Sequence, residues 1–318
     1  MKNIAFVIST KLKEKRRAIL PKDLKKIKNI SNVFIESGYG HSLGYTDLDY
    51  SILGCKIAKR EQLLTKEIIC DLKIGDANYI EQLKNQTLFG WIHAVQNKAL
   101  TNTLVKNKLT AYAWEDMFKN GKHIFYRNNE IAGEAAVIHA YLCYGKMPYE
   151  TKVAILGRGN TAKGALKILQ SLGAEVTVYN RQNEGEFRKE LDGYDVIVNA
   201  VLWDISRQDH LIYKKDLSCM KKNALIIDIS CDKNGAIESS VPTSLSNPVY
   251  ILDGVMHYAV DHTPALFYKT ASKAISKEVS KYIDILIEGK EIPKLANAKI
   301  IENGKILDNN INVFQNRN

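Results

Sequence analysis

The sequence has no hydrophobic run long enough to cross a membrane and no organised set of cysteines. None of its apolar stretches approaches about 18 residues, and the segment that begins at Met1 lacks a cleavage site of the secretory type. The five cysteines are odd in number and show no C-x-x-C spacing, so neither a disulfide framework nor a zinc site is predicted. We therefore expect a cytoplasmic protein with reduced cysteines, no membrane partner and no metal.

The chain has fewer acidic than basic residues: its 45 Lys and Arg and 35 Asp and Glu give a formal net charge of +10. The lysine-rich segment 11–28 raises the question of nucleic-acid binding. Its apolar residues, however, recur at helical spacing behind Pro21, so the lysines between them fall on a solvated helix face. These residues are Leu20, Leu24, Ile27 and Ile30. With no nucleic-acid motif present, we expect no such partner, and a basic surface suits anionic substrates and a phosphorylated cofactor.

The chain is long enough for two domains, because it has 318 residues of which 45% are hydrophobic. Short apolar runs alternate with helical patterns along its whole length, which predicts an α/β fold with doubly wound parallel sheets. The predicted strands are 3–8, 32–36, 68–74, 87–93, 109–114, 153–156, 176–179, 195–201, 224–230 and 249–252. We place a substrate domain at 1–131 plus 265–318 and a dinucleotide-binding domain at 132–264.

The glycine turn after strand 153–156 predicts the dinucleotide site. Gly157 permits a tight turn, Gly159 lets the main chain approach a pyrophosphate, and Ala162 completes the G-x-G-x-x-G/A pattern. A helical pattern follows, so the phosphates would meet the N-terminus of a helix. The residues predicted to contact them are Gly157, Arg158, Gly159, Asn160, Thr161 and Ala162.

The end of the next strand decides which dinucleotide is expected. An NAD enzyme usually carries an acid there for the ribose 2′-hydroxyl, whereas this chain reads Tyr179-Asn180-Arg181. A guanidinium pairs well with a 2′-phosphate, so we predict NADP(H) as the cofactor, with Asn180 and Arg181 at the phosphate. The alternative is that Arg181 is an ordinary surface arginine.

Polar residues that follow predicted strands are the candidates for chemistry, because ligands of doubly wound sheets bind beyond the carboxyl ends of the strands. They are Arg16, Arg17, Lys73 within the predicted strand 68–74, His93, and the segment Asp228 to Asp232. A single Lys or His at the end of a strand is more often structural than catalytic. Together they offer cations for a carboxylate, an acid near neutral pKa and an orienting carboxylate, which an oxo-acid reductase needs.

The chain resembles the alanine dehydrogenase and transhydrogenase family over nearly its whole length. The matching segments are 14–21 (EKRRAILP), Lys73, 90–93 (GWIH), 109–115 (LTAYAWE), 131–133 (IAG), 157–160 (GRGN), 225–232 (LIIDISCD) and 260–264 (VDHTP). The resemblance implies two Rossmann-like domains, with the active site in the cleft between them, and usually a homo-oligomer.

The same resemblance implies roles for individual residues. Arg16 and Lys73 would bind the carboxylate and keto groups of pyruvate, His93 would donate and accept the proton, and Asp232 would support the site beside the nicotinamide. His262 would lie near the nicotinamide, where it either contacts an amine substrate or shapes the turn before a proline.

Departures from the family narrow the function. Alanine dehydrogenases are longer and usually keep an acid after the second nucleotide-binding strand, which this chain replaces with Asn180 and Arg181. The likeness therefore points to the branch that condenses pyruvate with the side-chain amine of ornithine or lysine and reduces the imine with NADPH. Alanine dehydrogenase, a saccharopine-type dehydrogenase and a non-catalytic NADP-binding sensor are the alternatives.

Overall fold

A computed structural model describes residues 1–204, 207–232 and 234–317. Two compact units emerge from it, one formed by Met1–Phe125 with Tyr268–Asn318 and the other by Tyr126–Phe267. We call them the first and the second unit. In the described part of the chain no helix is both long and apolar enough to span a membrane.

The elements are numbered in chain order. The strands are β1 Ile4–Phe6, β2 Val33–Glu36, β3 Lys56–Ala58, β4 Ile68–Cys70, β5 Thr87–Gly90, β6 Thr110–Ala113, β7 Phe118–Lys119, β8 Lys122–His123, β9 Lys152–Leu156, β10 Glu175–Tyr179, β11 Val196–Asn199, β12 Leu225–Asp228, β13 Val249–Leu252, β14 Val255–Tyr258, β15 Lys299–Glu302 and β16 Lys305–Ile306. The α-helices are α1 Pro21–Leu24, α2 Asp47–Ser51, α3 Arg60–Leu63, α4 Lys98–Lys106, α5 Tyr126–Tyr144, α6 Asn160–Ser171, α7 Glu184–Lys189, α8 Tyr268–Val279, α9 Ile283–Glu288, α10 Pro293–Ala298 and α11 Asn309–Phe314.

The main sheet of the first unit has the order β16-β15-β6-β5-β4-β1-β2-β3. Strands β1 to β6 are parallel, and β15 and β16 add an antiparallel edge. Both faces are covered, since Ile4 and Phe6 pack into one hydrophobic core with α8 and α9 while Ala5 packs into another with α4 and α11. The strand order reverses at β1, where parallel sheets usually bind their ligands.

The sheet of the second unit has the order β10-β9-β11-β12-β14-β13, and β9 lies where the order reverses. One face packs against α5 and α6 and the other against α7. The α/β fold with two Rossmann-like units and mainly parallel sheets is thus confirmed. The prediction that 249–252 is parallel was wrong, because Asp253 and Gly254, both with positive φ, turn the chain into an antiparallel hairpin with β14.

Two local predictions in the first unit were also wrong. The strand expected at 68–74 ends at Cys70, so Lys73 lies in the loop beyond β4. The helix expected from Pro21 to Ile30 is a single turn, α1. Further along, the main-chain N–H groups of Lys28 and Asn29 donate to the carboxylate of Asp284, at 3.0 and 2.9 Å, so no helix continues there.

Helix α6, which carries the predicted phosphate-binding residues, crosses α5 at glycine contacts. A Cβ on Gly133 would lie 2.0 Å from the carbonyl oxygen of Thr161, and one on Gly164 would lie 1.9 Å from that of Glu130. Only glycine permits this approach. The N-terminus of α6 is therefore held against α5 by main-chain contact.

Candidate active site

The loops that follow β4 and β5 meet at the carboxyl edge of the first sheet. A Cβ on Gly75 would lie 1.9 Å from the carbonyl oxygen of Ile92, and one on Gly90 would lie 2.0 Å from that of Asp71. The main-chain N–H of Gly75 also donates to Trp91 at 3.0 Å. Two glycines thereby bring the loop of Lys73 against the chain that leads to His93.

Arg16 lies at this edge as a buried cation with a fixed orientation. Its Nε and Nη2 donate to the two carboxylate oxygens of Glu14 at 2.9 and 2.6 Å, and its guanidinium lies 5.5 Å from the centre of the Trp91 ring. Burial favours a higher pKa for Glu14, but the charge and hydrogen bonds of Arg16, together with the charge of Lys73, hold that pKa below its usual value. The pair is therefore ionised and close to Lys73.

The neighbouring Arg17 has a different role. Its Nε donates to the carbonyl oxygen of Tyr39, and its Nη1 donates to that of Arg16 at 2.7 Å. Its guanidinium also lies 5.3 Å from the centre of the Tyr39 ring. Because these contacts tie Arg17 to the main chain, Arg16 is the better candidate for a substrate carboxylate.

Lys73 is held by the loop that it belongs to. The carboxylate of Asp71 accepts hydrogen bonds from the main-chain N–H of Lys73 at 2.9 Å and from the hydroxyl of Tyr79 at 2.6 Å. Burial raises the pKa of Asp71 to about 6, and the charge of Glu14 adds to this effect, against those hydrogen bonds. Lys73 itself is 8% exposed. The edge thus holds Arg16 and Lys73 as buried cations beside the buried carboxyl groups of Glu14 and Asp71.

His93 occupies the adjoining loop in the left-handed region, with φ +54°. The carboxylate of Glu115, beyond β6, accepts hydrogen bonds from the main-chain N–H groups of His93 at 2.5 Å and of Ile92 at 3.2 Å. The Nδ1 atom of His93 lies 4.0 Å from the same carboxylate, and half of the His93 side chain is exposed. Burial raises the pKa of Glu115 to about 7 despite these hydrogen bonds. A histidine beside such a group is suited to proton exchange near neutral pH.

In the second unit the glycine turn leaves β9 as predicted. Gly157 has φ +107°, its N–H donates to Tyr179 at 2.8 Å, and a Cβ there would lie 2.7 Å from the carbonyl oxygen of Ala200. A Cβ on Gly159 would meet open space. Asn160 and Thr161 begin α6 half-buried, and Ala162 is buried.

This turn has the properties of an anion site. In the described residues no side chain caps α6 and its first turn holds no acid. The main-chain N–H groups of that turn therefore face the open space at Gly159 with the positive end of the helix dipole. A dinucleotide pyrophosphate fits the arrangement.

The segment after β10 is a compact turn. Asn180 and Asn183 hold it, since the N–H of Asn180 donates to the side-chain oxygen of Asn183 at 2.7 Å and the N–H of Asn183 donates back to the carbonyl of Asn180 at 3.1 Å. The side chain of Asn180 also accepts from Gln182 at 2.7 Å. Arg181 projects from this turn and is exposed, as is Arg158. Neither guanidinium has a partner among the described residues.

Asp232 follows β12 at the carboxyl edge of the second sheet, where it is half-buried. Burial raises its pKa to about 6, the charge of Asp228 contributes, and a hydrogen bond from the main-chain N–H of Trp203 opposes the shift. Asp228 is itself buried and accepts from Asn199 at 2.9 Å and from the N–H of Cys231 at 3.1 Å. Asp228 therefore holds the loop through its hydrogen bonds, whereas the raised pKa of Asp232 lets its carboxylate accept a proton closer to neutral pH.

His262 follows β14 in the same unit, and only 6% of its surface is exposed. Its Nδ1 lies 2.5 Å from the Oδ1 of Asp261, and its Nε2 is buried without a hydrogen-bond partner among the described residues. The next residue, Thr263, donates to the carbonyl of Ala132 on α5 at 3.0 Å. The segment is thus anchored to the helix that also positions α6.

The structure therefore groups the predicted residues by unit. Arg16, Lys73 and His93 share the edge of the first sheet, and the glycine turn, the Asn180–Asn183 turn, Asp232 and His262 belong to the second unit. Sequence reasoning did not assign roles to Glu14 and Glu115. The rule that picked out His93, a polar residue at the end of a strand, applies equally to Glu115 after β6 and would have found it.

Comparison with known proteins gives a consistent family. The profile of the alanine dehydrogenase/PNT N-terminal domain matches residues 9–131, and that of the C-terminal domain matches residues 180–315. An N(5)-(carboxyethyl)ornithine synthase of Clostridium botulinum is 32% identical over 316 residues, covering 91% of this chain and 99% of that protein. One of Lactococcus lactis subsp. lactis is 34% identical over 288 residues, covering 85% and 91%.

More distant relatives share the fold. Alanine dehydrogenase 1 of Staphylococcus aureus is 25% identical over 354 residues, covering 98% of this chain and 93% of its own length. Among solved structures, an L-alanine dehydrogenase superposes with a TM-score of 0.82 at 22% identity, covering 98% of this chain and 99% of that one. A transhydrogenase from Sinorhizobium meliloti gives 0.79 at 17% identity, covering 96% and 99%.

Proposed function

Because this chain belongs to the alanine dehydrogenase/PNT family, whose members are NAD(P)-dependent oxidoreductases, we propose that it joins pyruvate to the side-chain amine of ornithine or lysine and reduces the resulting imine with NADPH. One observation carries the proposal. Arg16 and Lys73 are buried cations at the carboxyl edge of one sheet, with His93 on the adjoining loop. Such a set suits an oxo acid, which presents a carboxylate and a carbonyl.

In the first unit the residues divide the work on pyruvate. Arg16, whose orientation Glu14 fixes, binds the carboxylate, and the ammonium of Lys73 donates to the carbonyl oxygen. This polarises the carbonyl carbon towards attack by the amine. His93 gives a proton to the oxygen that leaves as water, and Glu115 holds the left-handed main chain that presents the imidazole.

In the second unit the residues fit a phosphorylated dinucleotide, which when bound supplies the hydride. Gly157 to Ala162 hold its pyrophosphate at the N-terminus of α6. Arg181, with Asn180 beside it, pairs with the 2′-phosphate, and Arg158 adds a second cationic contact. Asp232 supports the site beside the nicotinamide, and His262 contacts the amine.

These residue roles assign one substrate to each domain. We assign pyruvate to a substrate domain of residues 1–131 and 265–318, and the dinucleotide to a domain of residues 132–264. We also propose that the enzyme is a homo-oligomer, which light scattering of the purified protein tests directly.

The decisive experiment is NADPH oxidation, followed by absorbance, with pyruvate plus ornithine, lysine or ammonia in parallel. Each reaction is repeated with NADH, and the product is identified by mass spectrometry. Oxidation that requires a diamino acid and yields its carboxyethyl adduct supports the proposal. Oxidation with ammonia that yields alanine makes the protein an alanine dehydrogenase. NADPH binding without oxidation in any mixture contradicts the catalytic role and favours a sensor.

A further inference from the structure

We infer that Asp261 and His262 form a second proton-transfer pair, which takes a proton from the ammonium group of the amine substrate so that its nitrogen can attack pyruvate. The inference rests on the proposed function and deepens it. It gives the second unit a chemical task in addition to binding the dinucleotide. It also defines the substrate as an amine that arrives protonated.

The first support is an orphaned nitrogen. The Nε2 of His262 is buried and has no partner among the described residues, although the imidazole is otherwise held by Asp261 at 2.5 Å. Buried polar atoms of native proteins nearly always have a hydrogen-bond partner, so an exception calls for a functional reason. A carboxylate on Nδ1 and a vacant Nε2 is the arrangement of a general base whose second nitrogen faces a substrate.

The second support is that this pair is fixed. Thr263 donates to the carbonyl oxygen of Ala132 on α5 and begins the helical turn Thr263–Ala265, which contains Pro264. A group that exchanges protons with a substrate must be held in position, and such anchoring holds it. A histidine serving only to shape the turn would not need a buried, unsatisfied Nε2.

Charged groups near the pair lie in the loop after β12 and on α5. Asp228, Asp232 and Asp261 all act on the thiol of Cys231, whose pKa is raised mainly by burial. On α5, Glu130 and Glu134 are both paired with Arg127 at 2.9 Å. The three carboxylates near Cys231 suit an incoming ammonium group, because opposite charges attract.

Proton accounting defines the task of the pair. An alkylammonium with a pKa of about 10.4 is almost fully protonated at pH 7 and cannot attack. Forming the iminium ion and water moves two protons from nitrogen to oxygen, so R–NH3+ and the ketone give R–NH+=C and H2O with no net proton. His262 takes the first proton from nitrogen, the nitrogen lone pair bonds to the carbonyl carbon, and the carbonyl electrons pass to oxygen. His93 protonates that oxygen, which gives a carbinolamine. A second proton then passes from nitrogen to the hydroxyl group, the C–O bond breaks and water leaves as the iminium ion forms. His262 returns its proton to solvent and His93 regains one, and after hydride addition one further proton from solvent restores the charged amine.

The test is the pH dependence of kcat/KM for ornithine in wild type and in His262→Asn, at saturating pyruvate and NADPH. At pH 7 we expect the variant to be slower by on the order of 10² to 10³. The deficit should shrink about tenfold per pH unit towards pH 9.5, because the free amine then forms in solution without the base. A deficit that stays constant with pH, or no deficit, overturns the inference.

Controls separate this result from folding and from the function itself. NADPH affinity and the melting temperature should match wild type, and Asp261→Asn, which keeps the imidazole, should show the same pH-dependent deficit at smaller size. If Asp261→Asn folds and shows a deficit independent of pH, the inference falls even where His262→Asn is unstable. Failure of wild type to use any diamino acid with pyruvate contradicts the proposed function, whereas a working wild type with a pH-independent variant contradicts the pair alone.

Discussion

The carboxyl edges of the two sheets differ in how their charged side chains are held. In the first unit the charges are buried and already paired, as Arg16 is with Glu14. In the second unit the glycine turn is open and Arg181 and Arg158 are exposed without partners among the described residues. A small oxo acid has few atoms with which to organise a site, so its site is built in advance. A dinucleotide is large enough to order exposed side chains itself, at some entropic cost.

The largest expected effect concerns His93, at the carboxyl edge of the first sheet. It tests whether this residue protonates the carbonyl oxygen. His93→Ala should lower kcat by on the order of 10² to 10⁴, because the group that protonates the oxygen is lost. NADPH affinity, measured by fluorescence titration, should stay unchanged. His41→Ala removes an exposed histidine of the same unit and serves as the control. An unchanged kcat in His93→Ala would assign that proton transfer to another residue.

The next effect tests whether the ion pair of Glu14 and Arg16 stabilises the folded protein in addition to its proposed role in binding. Glu14→Gln removes the carboxylate charge that pairs with the buried Arg16, which should cost about 3 to 5 kcal/mol of unfolding free energy. Denaturant unfolding measures this cost. Glu278→Gln, on a helix surface beside Lys281, makes the same chemical change at a more exposed pair and should cost little. Equal losses in the two variants would refute the special standing of the Glu14 pair.

A smaller effect tests whether the exposed arginine of the second unit selects the cofactor. Arg181→Ala removes charge-assisted bonds to a 2′-phosphate worth about 1.5 to 3 kcal/mol, so NADPH should bind about 10- to 100-fold more weakly. NADH affinity should not change, since NADH lacks that phosphate. Lys189→Ala, another exposed cation of the second unit, controls for general charge loss. A parallel loss for both cofactors would contradict the assignment.

The smallest effect is a change in how stability depends on pH. It tests whether the buried position of Asp71 costs free energy when its carboxyl group ionises. Asp71 has a pKa of about 6 when folded, above the value near 4 expected when unfolded, so the folded state holds more protons between these values. Stability must therefore fall as pH rises from about 4 to 6, by at most about 1.4 kcal/mol per unit from this group. Thermal melts of Asp71→Asn should show a flatter slope than wild type in that window. An unchanged slope would mean that Asp71 titrates normally.

Local rules predicted the parts of the fold that local chemistry decides. The glycine turn, the helix that follows it and the buried parallel strands are encoded by neighbouring residues, and the structure contains them. The course of the chain after α1 was beyond such rules, because Lys28 donates to Asp284, which lies 256 residues away in sequence. The antiparallel β13 was within reach of such rules, because Asp253-Gly254 is a local hairpin signal that the apolar pattern alone does not include.

The same distinction runs through the candidate site. Arg16 and Arg17 are adjacent and chemically identical in the sequence, and only the contacts with Glu14 and Tyr39 distinguish them. The orphaned Nε2 of His262 is equally invisible in a linear pattern, because it depends on which atoms surround it. Strand ends identify where ligands bind, whereas pairing and burial decide which residue does what.

The turn from Asn180 to Asn183 bears on how such enzymes diversify. Its hydrogen bonds run between its own residues, and the side chain at position 181 takes part in none of those described. We expect substitution there to leave strand, helix and glycine turn undisturbed, so under the proposed role of Arg181 a change of one codon would alter the preferred dinucleotide. On that proposal, the preferred cofactor could change in evolution while the fold stays the same.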